Sequence, residues 1–152
     1  MSRLATFSDP SNVADEEDGL LDTNIVLHAQ STDAHAEECR RFLRALESGR
    51  IRARLEPIIL HELSYVLPRY AKQMTRADVA AYLLMVLSWD GIVGDKDRMA
   101  DAVRRWGSTP GLSFADAYLA AVASHRRCQV FTKNVRELRG QGAEAPDPLP
   151  HA

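Results

Sequence analysis

The sequence contains only two cysteines, Cys39 and Cys128, in 152 residues. Two thiols cannot build a disulfide framework or a four-ligand zinc site. Neither has an activating neighbour in sequence: Cys39 falls at a core position of a helical pattern, and Cys128 at the edge of a strand pattern. Glycine and proline number eight and seven and show no period, which excludes collagen-like and low-complexity chains. No apolar run approaches the ~18 residues of a membrane helix. The polar, acidic N-terminus holds no signal-peptide segment. A cytoplasmic protein that does not engage a membrane is the expectation. There is no Walker-type phosphate loop and no Gly-x-Gly-x-x-Gly after a strand. The five histidines, His28, His35, His61, His125 and His151, show no metal-ligand spacing and are expected to be structural or surface residues.

What is present fits one domain with a sizeable core: 45% of residues are hydrophobic and 26% charged. The net charge of −2 hides an asymmetry. Residues 1–18 set Arg3 against Asp9, Asp15, Glu16, Glu17 and Asp18, whereas residues 19–139 carry 18 cations against 14 acids, a net of +4. A mildly basic body permits a polyanionic partner without requiring one. Residues 1–18 lack apolar periodicity and read as a flexible acidic segment. Residues 140–152, rich in Gly, Ala and Pro, read as a flexible tail. The fold is assigned to 19–139.

Within it, short apolar strands alternate with amphipathic helices. Strands are expected at Leu20-Leu21, Ile51–Leu55, Ile92-Val93 and Gln129–Thr132. A helix capped by Asp33 runs to about Ser48, where Gly49 ends it. Pro57 opens a helix that Pro68 stops. Thr75 with Asp78 resembles a capping box, Asp95 caps a helix ending near Trp106-Gly107, Ser113 caps the next, and Asn134 starts a last short one. This alternation is α/β, with a central, mostly parallel sheet flanked by helices.

Ligands of open parallel sheets bind at the carboxyl ends of strands. Asp22-Thr23-Asn24 and Thr132-Lys133-Asn134 fall at two such ends. Glu62 and Asp116 lie in otherwise apolar helical segments, where carboxylates are seldom found unless paired or bound to a cation. Together these acids are a candidate site for Mg²⁺ or Mn²⁺, which take oxygen ligands. Each has a plainer reading: Asp22 as a helix cap, Glu62 as an exposed helix edge, Asp116 as a first-turn acid favoured by the helix dipole, and Asn134 as a cap. The Asp-Thr-Asn block lacks the second Asp, two residues on, of a haloacid-dehalogenase-like phosphatase.

Four blocks, LLDTNIVL, PIILHELSYVL, LSFADAYLAAVA and VFTKNVREL, resemble in order and spacing the motifs of PIN-domain nucleases. The nearest subgroup is the VapC-type ribonuclease toxins of toxin–antitoxin pairs. The resemblance implies a single PIN-like, Rossmann-like domain and metal-assisted RNA cleavage leaving a 5′-phosphate and a 3′-hydroxyl. It makes Asp22, Glu62 and Asp116 the metal-binding, catalytic acids. Thr23 and Asn24 match polar residues beside the first Asp, and Thr132 matches a Thr packed against the site. Asn134 stands where many members have Asp; it brings an amide but no charge, and Glu137 is a possible substitute. Thr23, Asn24, Thr132, Lys133 and Arg136 are the candidate substrate contacts, with Arg69 nearby and Tyr65, Tyr118, Trp89 and Trp106 as candidate stacking residues. The implied partners are RNA, a cognate VapB-like antitoxin and a second copy in a homodimer. The antitoxin is expected to send a basic side chain toward the acids, from a groove walled by Leu63, Val66, Leu67 and the helix at 76–89. A catalytically degenerate PIN-like domain that binds RNA or protein is the competing reading, supported by the missing fourth acid.

Overall fold

The computed structural model describes residues 18–71 and 73–151; the acidic stretch Met1–Glu17 and Ala152 lie outside the described residues. Among the described residues the chain is α/β, with three short parallel strands and seven helices. The strands are β1 (Gly19–Leu20), β2 (Ala53–Arg54) and β3 (Ile92–Val93), ordered β1-β2-β3. Leu20 pairs with Arg54, and Arg54 with Val93. The helices are α1 (Thr23–Ala29), α2 (Ala36–Glu47), α3 (Pro57–Tyr70), α4 (Arg76–Ser88), α5 (Lys96–Ser108), α6 (Phe114–Arg126) and α7 (Val135–Gly140).

The buried apolar residues form one main core, with a smaller cluster between α6 and α7. Val26, Leu46, Leu55, Leu60, Leu63, Val79, Leu83 and Met99 are all at most 1% exposed. α5 packs along α4 and α6, and α1 along α2. Gly49, at φ +74°, closes α2 in the left-handed conformation that glycine takes without penalty. No described helix is long and apolar enough to cross a membrane.

Four expectations need correction. Gln129–Thr132 is not a strand: the Val130 amide donates to the Glu144 carbonyl at 2.8 Å, so this stretch pairs with the later chain. That same contact binds the segment expected to be a loose tail. Ala145, 3% exposed, packs with Ala120, Ala123, Val130 and Leu138, and the Arg139 guanidinium donates to its carbonyl at 2.8 Å. Small residues fit against α6 and α7 where composition alone suggested a detached tail. α3 does not stop at Pro68 but continues to Tyr70; near a helix end one missing N–H is tolerated. α2 begins at Ala36, because the Asp33 carboxylate accepts from the His35 amide at 2.8 Å in a turn that precedes the helix.

The remaining start signals act as expected. Thr75 and Asp78 exchange both bonds of a capping box, at 2.9 and 3.1 Å. Asp95 accepts from the Arg98 amide, and Ser113 from the Asp116 amide.

Candidate active site at the carboxyl edge of the sheet

β1 delivers the chain to Asp22, which stands at the N-cap of α1 with extended backbone (φ −95°, ψ 149°). Its carboxylate makes no capping bond. The next residue, Thr23, is buried, and its hydroxyl donates to Glu62 Oε2 on α3 at 2.8 Å. One residue before Glu62, the His61 ring stacks on Phe114 of α6, centroids 6.0 Å apart. Two residues beyond Phe114, the Asp116 carboxylate accepts from Asn134 Nδ2 at 3.1 Å. The Asn134 amide N–H in turn donates to Thr132 Oγ1 at 2.9 Å. This run of contacts strings Asp22, Glu62, Asp116 and Asn134 along one edge of the fold, beyond the carboxyl ends of the strands.

Ser113 and Asp116 repeat the local pattern of Thr75 and Asp78, a hydroxyl residue followed three positions later by Asp. The Asp78 carboxylate turns back to close its capping box, and that hydrogen bond holds its pKa below the ordinary value. At the start of α6 only one half of the box forms, the Asp116 amide donating to Ser113 Oγ at 3.1 Å. The Asp116 carboxylate faces Asn134 instead. Two acids that could have served only as caps, Asp22 and Asp116, are therefore not used as caps.

The family model for the PIN domain matches residues 19–139. The chain belongs to the PIN domain family. No curated protein and no solved structure matches it. PIN domains are nuclease-type folds that usually bind divalent metal. The donors at this edge fit such a cation in kind: Asp22, Glu62 and Asp116 offer carboxylate oxygens, the ligands of Mg²⁺ and Mn²⁺. Their arrangement differs from the convergence expected of them. Among the described residues no three His, Cys, Asp or Glu side chains are gathered closely enough to hold an ion. Like charges repel, and here Glu62 and Asp116 each turn to a neutral donor, Thr23 and Asn134.

The other candidate residues of this PIN domain fall into distinct settings. Thr23 is 3% exposed and supports Glu62 rather than Asp22, so it positions an acid and does not meet substrate directly. Thr132 holds Asn134. Asn24 is exposed beside Asp22. Lys133 is exposed, but its ammonium pairs with Asp147 at 2.9 Å, a partner from a segment that had been set outside the fold. Arg136 lines a separate groove with Thr109, Gly111 and Glu137. The Arg69 guanidinium lies 3.9 Å over the Tyr65 ring, so these two candidates cover each other. Trp89 and Trp106 are core residues, 8% and 6% exposed. Leu63 and Leu67 are buried to 1% or less, so they form core and not the wall of a docking groove.

Sequence reading missed a groove of about 630 Å³ beside Asp22, lined also by Asn24, His28, His35 and Glu38. Its residues come from β1, α1 and α2, and no spacing within one segment signals that meeting.

Proposed function

We propose that this PIN domain is a Mg²⁺- or Mn²⁺-dependent endoribonuclease that acts in the cytoplasm as the toxin of a toxin–antitoxin pair. The observation that carries the reading is that neither the Asp22 carboxylate, at the N-cap of α1, nor the Asp116 carboxylate, in the first turn of α6, is spent on capping, on the sheet edge where ligands of such folds bind. Asp22, Glu62 and Asp116 would hold the cation, with Asn134 at the fourth position. A bound divalent cation supplies an activated water and stabilises charge on the phosphate and leaving oxygens. The protein's own part is positioning. The Thr23 hydroxyl fixes one Glu62 oxygen and leaves the other for a ligand. The Asn134 amide nitrogen steadies Asp116, and its carbonyl oxygen remains to accept from a water. Cleavage would leave a 5′-phosphate and a 3′-hydroxyl, with no covalent protein intermediate.

A toxin of this kind needs an inhibitor. A guanidinium from a VapB-like antitoxin would bridge carboxylates bidentately and keep the cation out. A homodimer is the assembly we propose for the active protein.

The competing reading is a non-catalytic RNA- or protein-binding PIN domain. It is favoured by the amide at position 134 and by the dispersed acids. Induced expression of the full chain separates the two. The nuclease-toxin reading expects growth arrest that Asp22→Ala abolishes and that co-expression of the cognate small antitoxin also relieves. Arrest that survives Asp22→Ala favours the binding module.

A further inference from the structure

The groove beside Asp22 has the size of a small-molecule site, about 630 Å³, within the usual range of roughly 300–1,000 Å³. Ile25 and Phe42 supply apolar wall, and Asp22, Asn24, His28, His35 and Glu38 supply polar groups. Two of these groups, Asp22 and Glu38, are carboxylates that can only accept when ionised. The His28 ring is held from outside the groove, its Nδ1 facing Asp33 Oδ2 at 2.7 Å. On α2, Glu37 is engaged by Arg40, Arg41 and Arg44. Its neighbour Glu38 makes no ion pair among the described residues, although it lines the groove.

An apolar slot edged with carboxylates repels phosphate and suits a flat, neutral ring that presents donors. Among RNA bases, guanine alone presents two adjacent donors, N1–H and N2–H, on its pairing edge. A carboxylate can accept both at once. Adenine and cytosine present one exocyclic amine there, and uracil a single N3–H between two carbonyls. Unpaired RNA bases are recognised through such edges.

We infer that this groove is a subsite for an unpaired guanine of the RNA strand, with Glu38 accepting from N1–H and N2–H while Ile25 and Phe42 flank the ring. The inference rests on the nuclease reading for the source of the base. It makes Glu38 a specificity residue, one groove wall away from Asp22.

The test is titration of the full chain in EDTA with guanosine, inosine, adenosine and uridine, followed by amide chemical shifts. Neither metal nor cleavage enters it. Guanosine is expected to bind about ten-fold more tightly than adenosine, with inosine, which lacks the N2 amine, between them. Shifts should centre on Asn24, Glu38 and Cys39. Glu38→Gln should remove most of the guanosine preference. A short RNA, AGA, should bind more tightly than AAA and lose that preference in Glu38→Gln. Equal binding of all four nucleosides, shifts centred elsewhere, or a preference that survives Glu38→Gln overturns the subsite. A guanosine preference with no preference for AGA over AAA overturns RNA as its source. Guanosine selectivity in a protein that cuts no RNA would leave the base site standing and remove the nuclease reading alone.

Discussion

The Asn134 side chain donates to the Asp116 carboxylate at 3.1 Å, and its own backbone amide is held by Thr132. A neutral amide thus occupies the place where a second carboxylate would have met Asp116 with like charge. The arrangement is stable without a cation, at the cost of one negative charge.

Asn134→Asp reverses that balance. Two carboxylates would then face each other, which raises the pKa of the pair and destabilises the metal-free protein. A bound divalent cation relieves the repulsion. Calorimetric titration should show tighter Mg²⁺ or Mn²⁺ binding than in the parent, and the gain in melting temperature on adding metal should be larger. Unchanged affinity would remove Asn134 from the site. A large loss of activity in Glu137→Gln would move the fourth role to Glu137.

Thr23→Val keeps the shape of a buried residue and removes its hydroxyl. Glu62 then loses the donor that fixes one of its oxygens. Stability should change little, because Glu62 itself is exposed to water. Supporting residues of metal sites typically cost about 10–100-fold in affinity or activity when removed, and RNA cleavage by Thr23→Val should fall within that range. Thr23→Ser should restore most of it.

The pairing of His28 with Asp33 carries a pH signature. That hydrogen bond, aided by Ser31, lowers the Asp33 carboxyl from its ordinary 3.8 to about 2. A depressed carboxyl stabilises the fold above its unfolded value and loses that contribution as pH falls through its folded value. The difference in melting temperature between the parent and Asp33→Asn should therefore be present at pH 5, shrink below pH 3.8, and vanish near pH 2. A difference that grows on acidification contradicts the pairing.

Arg76 supports the site from a distance. Its guanidinium lies 4.7 Å over the Trp106 ring and donates to the carbonyls of Trp106 and Leu112 at 2.7 and 2.8 Å. These bonds fix the loop that delivers Ser113 and Asp116. Burial lowers the pKa of Arg76. Arg76→Ala leaves carbonyls without donors and should cost about 2 kcal/mol, or roughly 4–8 °C in melting temperature. Thermal unfolding checks it.

Local rules explain what the sequence made legible. The Thr75–Asp78 box and the Ser113 and Asp95 caps depend on neighbours within four residues, and they are found as read. What was not legible depends on distant partners. Gln129–Thr132 has the composition of a strand, but its backbone meets Glu144. The place of Asp22 just after β1 followed from the order of elements, whereas Glu62, Asp116 and Asn134 were expected beside it from the family resemblance. The partners they choose followed from neither: Thr23 reaches Glu62 across 39 residues, and Asp147 takes Lys133 across 14. The groove beside Asp22 escaped notice for the same reason, since His28 and Glu38 belong to different helices.

The most direct measurement is cleavage of a defined single-stranded RNA by the full chain, with Mg²⁺ or Mn²⁺ and with EDTA, beside Asp22→Asn and Asp116→Asn. Both variants keep the size of the side chain and remove its charge, and circular dichroism establishes that they fold. The account predicts metal-dependent cleavage with 5′-phosphate products, lost by at least about a hundred-fold in each variant. Cleavage that persists in EDTA, or that both folded variants retain, would contradict the assignment of a metal-dependent nuclease centre to this edge of the sheet.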